Sequence, residues 1–137
     1  MAITSTYPVL MSSDVAYAAK FYVDYFNFEP TFSSDWYVSL RHDDFELAIL
    51  DQHHETIPTG YSSAPAGILF NIEVDDVDAV YTDLVATRGL DTALELRDEA
   101  FGQRHFILIG PDNVLIDVIE PIDPSQEFQA AYADSAK

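Results

Sequence analysis

The chain has 137 residues, no cysteine, and 24 acidic residues against 6 basic ones, which gives a formal net charge of −18. A chain of this length predicts one domain, residues 1–137, that buries about two-thirds of its unfolded surface. The absence of cysteine excludes disulfides, thiolate nucleophiles and thiolate zinc sites, and the negative field disfavours nucleic acid and anionic membranes as partners.

The N-terminal stretch MAITSTYPVLMSSD has neither a basic start nor a long apolar run. It therefore predicts no signal peptide and no membrane span, and we expect a cytoplasmic protein. Within it, TYPVLM is the first predicted strand. The next stretch, SDVAYAAKFYVDYF, carries apolar residues at helical spacing behind Ser13 or Asp14 as the cap, which predicts a helix.

Three short β-prone segments follow this helix: EPTFS, WYVSLR and FELAIL. Residues 52–65 are rich in turn formers and predict a linker, in which His53 and His54 are expected to be solvated. The same order then returns as the strand GILFNIEV, the helix DDVDAVYTDLVATRG and the strands TALELR, RHFILI and VLIDVI. The segment GPDN between the last two strands is interpreted as a hairpin turn alone.

The sequences of the two predicted helices align with one constant separation along the chain, which matches Asp14 with Asp76 and Tyr22 with Leu84. This internal repeat predicts two βαβββ modules, residues 4–51 and 66–121. A short closing helix over residues 125–136 is expected to pack back on the body of the protein.

The fold class that follows is α+β, with the two modules forming a curved mixed sheet around a concave cleft and the helices outside. Side-chain alternation divides the last strand into two faces. One face carries Leu115, Asp117 and Ile119, and the other carries Val114, Ile116 and Val118. If the second set packs under the helices, Asp117 faces the cleft.

The motifs SDV and FYVDYFNF in the first half, EVDDVDAVYTDL in the second, and the closing FGQRHFILIGPDNVLIDVIEP resemble one family. It is the glyoxalase, bleomycin-resistance and extradiol-dioxygenase superfamily, also called vicinal oxygen chelate proteins. The resemblance covers residues 4–121 and implies the same fold. It leaves the function open, because this superfamily hosts isomerases, dioxygenases, thiol transferases and metal-free drug-binding proteins.

The resemblance also implies where a metal would be held: by one residue on the first strand of each module and an acid on the last. These positions fall on Tyr7 and Leu69, on Asp117, and on either Glu46 or Ala48. Leucine cannot ligate a metal, and a neutral phenol is a poor ligand for divalent ions. The sequence therefore favours a protein without a cofactor. The alternative is a divalent metal ion held by Glu46 and Asp117, with Tyr7 as a phenolate.

Without a metal, the chain is most similar to the bleomycin-resistance branch, which binds a cationic drug between two subunits without chemistry. DWYVSLRHDD resembles the third strand of those proteins and AFGQRHF resembles their drug-contacting loop, which implies ligand contacts for Trp36 and Phe101. Core or dimer packing is the alternative for Trp36, and an ordinary strand histidine is the alternative for His105. The candidate ligand site comprises Tyr7, Trp36, Leu69, Phe101, His105 and Asp117, with Asp117 as the anchor for a cation.

Three functions are compatible with these features. The favoured one is the binding and sequestration of a cationic or aromatic small molecule, such as an antibiotic, without chemistry. The alternative is a metal-dependent glyoxalase-like lyase or isomerase, or a dioxygenase. A third is a partner-binding protein or a sensor of a small metabolite. The resemblance implies a homodimer in each case, and the predicted N-terminal strand offers an open sheet edge for pairing.

Overall fold

The computed structural model describes residues 1–132 and contains two successive copies of the predicted βαβββ order. The first copy consists of β1 (Val9–Ser12), α1 (Val15–Phe26), β2 (Glu29–Ser33), β3 (Tyr37–His42) and β4 (Phe45–Asp51). The second consists of β5 (Leu69–Glu73), α2 (Val77–Tyr81), β6 (Thr92–Glu99), β7 (Gln103–Ile109) and β8 (Leu115–Pro121). A short helix, α3 (Gln126–Gln129), follows β8.

Each copy forms a four-stranded mixed sheet, in the order β1-β4-β3-β2 for the first and β5-β8-β7-β6 for the second. The first and last strands of each copy pair in parallel, and the remaining pairs are antiparallel. This confirms the predicted α+β class. By their contacts, residues 1–67 and 110–113 form one compact unit, and residues 68–109 and 114–132 form a second.

The two main helices begin and end in the same way, at positions that the repeat aligns. The side chain of Asp14 accepts a hydrogen bond from the backbone of Tyr17 at the start of α1, and Asp76 does the same at the start of α2. At the other end, the backbone N–H of Phe28 donates to the carbonyl of Tyr22 in the first unit. The equivalent residues of the second unit, Leu90 and Leu84, make the same bond. The internal repeat predicted from the sequence is therefore present in the helix caps.

The second helix departs from its prediction in one respect. The sequence predicts a single helix up to Gly89, but α-helical geometry ends at Tyr81 and the chain continues as a π-helical segment, Thr82–Thr87. Gly89 then has a φ of 73°, the left-handed conformation in which glycine often ends helices. The predicted end of the helix at Gly89 is right, but the predicted α-helical geometry over Thr82–Thr87 is wrong.

The core of each unit lies under its helix. In the first unit α1 packs on β3 and β4, whose alternate residues Val38, Leu40, Leu47 and Ile49 are buried. In the second unit α2 packs on β7 and β8, with Phe106, Leu108, Ile116 and Val118 buried. Fully burying side chains of this kind stabilises a fold by about 1.5–3 kcal/mol each.

The closing helix packs on the turn between β6 and β7. The ring of Phe128 meets that of Phe101 edge to face, with centroids 6.3 Å apart, and the hydroxyl of Tyr132 donates to the carbonyl of Phe101. Helical geometry covers Gln126–Gln129 of the predicted 125–136, and positions 133–136 lie outside the described residues. Within residues 1–132, no helix is both long and apolar enough to cross a membrane.

Candidate functional site

The second sheet has one face covered by α2 and one face turned away from it. The ring of Phe106 packs edge to face against Tyr81 of α2, with centroids 5.1 Å apart, and Phe106 pairs with Val118 across β7 and β8. Because side chains alternate along a strand, Asp117 and His105 lie on the opposite face. Asp117 therefore points away from the helix, as strand alternation predicted.

On that face His105 is held between two carboxylates. Its Nδ1 lies 2.7 Å from Oδ1 of Asp117, and its Nε2 lies 2.8 Å from Oε2 of Glu99. His105 and Asp117 are only 5% and 4% exposed. Since an ionised carboxylate only accepts hydrogen bonds, both ring nitrogens must carry a proton to serve both partners. The arrangement is a buried imidazolium between two carboxylates.

Electrostatics support this protonation state. Desolvation is the largest influence on the pKa of His105 and favours the neutral ring, but the hydrogen bonds and charges of Glu99 and Asp117 outweigh it, so the pKa is raised. The hydrogen bond from His105, followed by that from Arg97, lowers the pKa of Glu99. Nε of Arg97 lies 2.7 Å from the same Glu99 oxygen. Two cations and two anions thus neutralise one another across β6, β7 and β8, which is how this face tolerates a buried Asp117.

The sequence predicts His105 and Asp117 in one site, but it does not predict Glu99, the second carboxylate bound to His105. The structure brings the predicted pair together and engages them with each other. Asp117 therefore presents little surface to a ligand. The opposite charges in LELRDE and RHFILI, on neighbouring strands, were the available signal for Glu99.

Two other predicted ligand residues of the second unit are partly exposed. Leu69 begins β5, pairs with Leu115 and is 50% exposed. Phe101 lies in the β6–β7 turn and is 41% exposed, with Phe128 and Tyr132 packed on it from the C-terminal segment. Of these two, only Phe101 belongs to an aromatic cluster.

The remaining predicted residues belong to the first unit. Tyr7 precedes β1 and is about half exposed. Glu46, on β4, accepts hydrogen bonds from Arg41 at 3.2 Å and from the hydroxyl of Ser5 at 2.6 Å. Its carboxylate is thus already engaged by residues of the first unit.

Trp36 lies just before β3 and stacks on His54, with ring centroids 3.9 Å apart and an angle of 9° between the planes. The prediction of a solvated His54 is therefore wrong, because the imidazole covers one face of the indole and is half-buried there. His53 is exposed, as predicted.

Sheet register decides which first-unit residue matches Asp117. Val9 pairs with Ala48 in the first sheet, and Asn71, which the repeat aligns with Val9, pairs with Asp117 in the second. Ala48 is therefore the structural equivalent of Asp117, and Glu46 lies two positions before it. Of the four positions at which the resemblance implies metal ligands, only Asp117 is a carboxylate. Among the described residues, no group of three or more His, Cys, Asp or Glu side chains is arranged to hold a metal ion.

A pocket of about 380 Å³ lies beside the Glu99–His105–Asp117 network, within the second unit. Its wall includes Glu73, Gln103 and Ile119 on the sheet face that also carries His105, and Asp123 from the C-terminal segment. A pocket of this volume suits a small organic molecule. The sequence does not predict this pocket, because one of its walls is the C-terminal segment, whose position depends on contacts with residues distant in the chain.

The turn between β7 and β8 also contacts the residues just before α1, which the sequence does not predict. The carboxylate of Asp112 accepts hydrogen bonds from the hydroxyl of Ser12 at 2.6 Å, and from the hydroxyl and backbone N–H of Ser13 at 2.7 and 3.0 Å. Desolvation favours the protonated form of Asp112, but these hydrogen bonds outweigh it and lower its pKa. The interpretation of GPDN as a hairpin turn alone is thus wrong: Asp112 anchors the start of α1.

Comparison with known proteins identifies the fold family. A sequence profile described as the Glyoxalase/Bleomycin resistance protein/Dioxygenase superfamily matches residues 5–118. No curated protein matches the chain at the level of sequence.

Three solved structures illustrate the range of related folds. An antibiotic-binding protein from Streptomyces sp. CB03234 is 23% identical, with a TM-score of 0.68 over 88% of this chain and 98% of that one. The bleomycin-binding protein of Streptomyces verticillus, complexed with copper(II)-bleomycin, is 22% identical, with a TM-score of 0.58 over 86% and 96%. The lactoylglutathione lyase of Agrobacterium tumefaciens is 20% identical, with a TM-score of 0.68 over 87% and 92%. At these identities the likeness concerns the fold.

Proposed function

The chain belongs to the Glyoxalase/Bleomycin resistance protein/Dioxygenase superfamily, and we propose that within it this protein binds a cationic or aromatic small molecule, such as an antibiotic, without transforming it. The proposal rests on the residues at two positions, one on the last strand of each module, where the resemblance implies an acid that could ligate a metal. Ala48 occupies the first, and the Asp117 carboxylate at the second is buried against His105 at 2.7 Å. A catalytic divalent ion needs about three protein ligands and an open position, and this donor set does not supply them.

Two further features support binding rather than chemistry. Both nitrogens of His105 are engaged by carboxylates, so the ring has no free nitrogen to act as a base on a substrate. The antibiotic-binding and bleomycin-binding proteins named above share the fold, which supports a scaffold that can take an antibiotic. The proposed ligand is cationic because the chain carries a formal net charge of −18, which attracts cations.

The experiment is a titration with a panel of cationic and neutral aromatic antibiotics, read by fluorescence. Trp36 is the only tryptophan, so the signal has one source. We expect at least one cationic compound to bind and to be recovered chemically unchanged by mass spectrometry. Binding of none of them, or recovery of a modified compound, contradicts the proposal.

A metal-dependent enzyme is the competing function, and a second measurement separates it. The protein is incubated in turn with nickel, manganese, zinc and iron(II), desalted, and analysed by elemental mass spectrometry. We expect no retained ion. About one ion per chain, lost in Asp117→Ala but kept in the control Glu29→Ala, would instead support a lyase, isomerase or dioxygenase.

We also propose that the protein acts in the cytoplasm as a homodimer. β1 and β5 are edge strands of their sheets, and Val9 and Leu69 on them are 42% and 50% exposed, so each edge offers apolar side chains to a partner. Light scattering coupled to gel filtration should give twice the mass of one chain at micromolar concentration, and a single-chain mass would contradict the dimer.

A further inference from the structure

We propose that the first unit carries a ligand site on its helix side, a groove between α1 and the strands β2 and β3 that takes a neutral phenolic ring. The groove has a volume of about 370 Å³. Ala19 of α1 and Val38 of β3 form its floor, and β2 contributes Pro30 and Ser33. None of the described residues that line it was predicted as a ligand contact, and the site goes beyond the proposed function.

The equivalent place in the second unit is filled by a phenol of the chain itself. The ring of Tyr81 on α2 packs edge to face on Phe106 of β7, with centroids 5.1 Å apart. Its hydroxyl donates a hydrogen bond to the carboxylate of Glu95 on the edge strand β6. This side chain spans a helix, an inner strand and an edge strand, and the same three elements of the first unit enclose the groove. The second unit therefore shows how a phenolic ring lies against this part of the module.

The internal repeat matches the residues of the groove with those around the Tyr81 ring. The constant separation that aligns the two helix caps also aligns Ala19 with Tyr81. It aligns Ser33, on the edge strand β2, with Glu95. The first unit thus lacks the ring on its helix, while its edge strand keeps a hydroxyl oxygen, which can accept a hydrogen bond from a phenol.

Sheet register gives the corresponding match for the strand that forms the floor. Val38 pairs with Ile49, and Phe106 pairs with Val118, at equivalent positions of the two sheets. The first unit therefore has a valine where the second has a phenylalanine. Both rings of the edge-to-face pair are replaced by smaller side chains, which leaves space between the helix and the sheet edge.

The lining of the groove favours a neutral ring. A ring laid on Ala19, Val38 and Pro30 removes apolar surface of both the ring and the groove from water. On the rim, Nζ of Lys20 lies 2.7 Å from Oδ2 of Asp24, so these two charges already neutralise each other. A charged ligand group would have to compete with this ion pair, whereas a phenol needs only one hydrogen-bond acceptor.

The probe is p-cresol, which is the side chain of tyrosine as a free molecule, titrated into ¹⁵N-labelled full-length protein. We expect the amide signals of Ala19, Ser33 and Val38 to shift. Toluene, the same ring without the hydroxyl, should shift them about two- to tenfold less at equal concentration, because one hydrogen bond is lost. Tyramine, which adds an ammonium group, should bind within about twofold of p-cresol at physiological salt, because the rim charges are already paired.

Three variants locate the ring. Ala19→Tyr gives α1 the ring that α2 has, and this ring should occupy the groove and abolish the p-cresol shifts at Ser33 and Val38. Ala79→Tyr adds the same ring at an exposed position of α2 and is the matched control, which should leave the shifts unchanged. Ser33→Ala should make p-cresol and toluene bind equally. The wild-type titration and Ser33→Ala do not depend on whether the added ring is tolerated.

The contrary outcomes are distinct. If p-cresol at millimolar concentration shifts none of the groove signals, or shifts those around Trp36 instead, the groove is not a site. The same follows if Ala79→Tyr blocks p-cresol as well as Ala19→Tyr does. If toluene binds the wild-type protein as tightly as p-cresol, the hydrogen bond to Ser33 is wrong. If p-cresol binds in the groove but no antibiotic of the panel binds, the proposed function fails and this site stands.

Discussion

In both units the sheet face under the helix is apolar, whereas the opposite face carries different residues in each unit. Leu47 and Ile49 in β4 match Ile116 and Val118 in β8, and all four are at most 1% exposed. On the other face, register aligns Ala48 with Asp117 and Tyr37 with His105. The repeat thus keeps the apolar core that each helix needs, while the opposite face carries different chemistry in each unit.

The largest expected effect comes from breaking the charge network of the second unit. Asp117→Ala leaves a buried imidazolium with one of its two carboxylates, and we expect it to lower the free energy of unfolding by about 3 kcal/mol. Urea denaturation measures this. The double variant His105→Leu with Asp117→Ala removes both buried charges and should cost less than Asp117→Ala alone. If the loss of stability in the double variant equals the sum of the losses in Asp117→Ala and His105→Leu, the two residues do not form a pair.

A glycine comparison tests how tightly the pocket wall is packed. Gly102 and Gly60 both have positive φ, but a Cβ on Gly60 meets nothing within 4 Å, whereas one on Gly102 lies 3.0 Å from both Ile122 and Tyr132. Gly60→Ala should cost about 1 kcal/mol through backbone strain, and Gly102→Ala about 2–3 kcal/mol. Thermal unfolding of the two variants gives the difference. Equal losses of stability in the two variants would mean that the C-terminal segment moves away from the added methyl group at little cost.

The hairpin turns of the two units offer a third comparison. Asp43 and Asp112 both have left-handed φ values, of 50° and 58°, in the turns before β4 and β8. Only Asp112 accepts the three hydrogen bonds from Ser12 and Ser13, so Asp112→Ala should lower the free energy of unfolding by about 1–2 kcal/mol. Asp43→Ala is the matched control and should change it by less than about 0.5 kcal/mol. Similar losses for both would remove the anchoring role of Asp112.

The smallest effect should appear in the pH dependence of stability. The pKa of His105 is raised in the folded state from its ordinary 6.5, so its contribution is complete below pH 6.5 and is lost as pH rises through the folded pKa. Glu99, whose pKa is lowered from 4.5, contributes above pH 4.5 and loses that contribution as pH falls through its folded pKa. Urea midpoints from pH 4 to 9 should therefore fall on the alkaline side. His105→Gln should flatten that fall, and an unchanged slope would contradict the assignment.

Local sequence patterns were enough for the starts of the two main helices and for most strand positions. Asp14 and Asp76 cap their helices because a short acidic side chain before an apolar run can bond the free N–H groups of the first turn. That interaction joins neighbours in the chain, so it is visible in the sequence. The same holds for the repeat, whose constant offset aligns both caps.

The site was predicted only in part, because its geometry depends on register. β6 pairs with β7 through two irregularities, between Thr92 and Leu94 and between Leu94 and Arg97. Both lie before Arg97, whereas the contact of Glu99 with His105 is diagonal across the regular pairs Arg97–His105 and Glu99–Gln103, and it depends on where the turn sets β6 against β7. The choice between Glu46 and Ala48 had the same cause and was settled by the pairing of Val9.

The sequence by itself determined the α+β class, the duplicated module and the negative charge, and it limited the first helix cap to Ser13 or Asp14, because each depends on composition or on residues close together in the chain. Only the tertiary structure decided that Asp117 serves His105, and that Asp112 holds two serines from the opposite end of the chain. It also brought the C-terminal segment against the β6–β7 turn to form a pocket. These contacts join distant residues whose meeting depends on strand register and chain path, which no local pattern encodes.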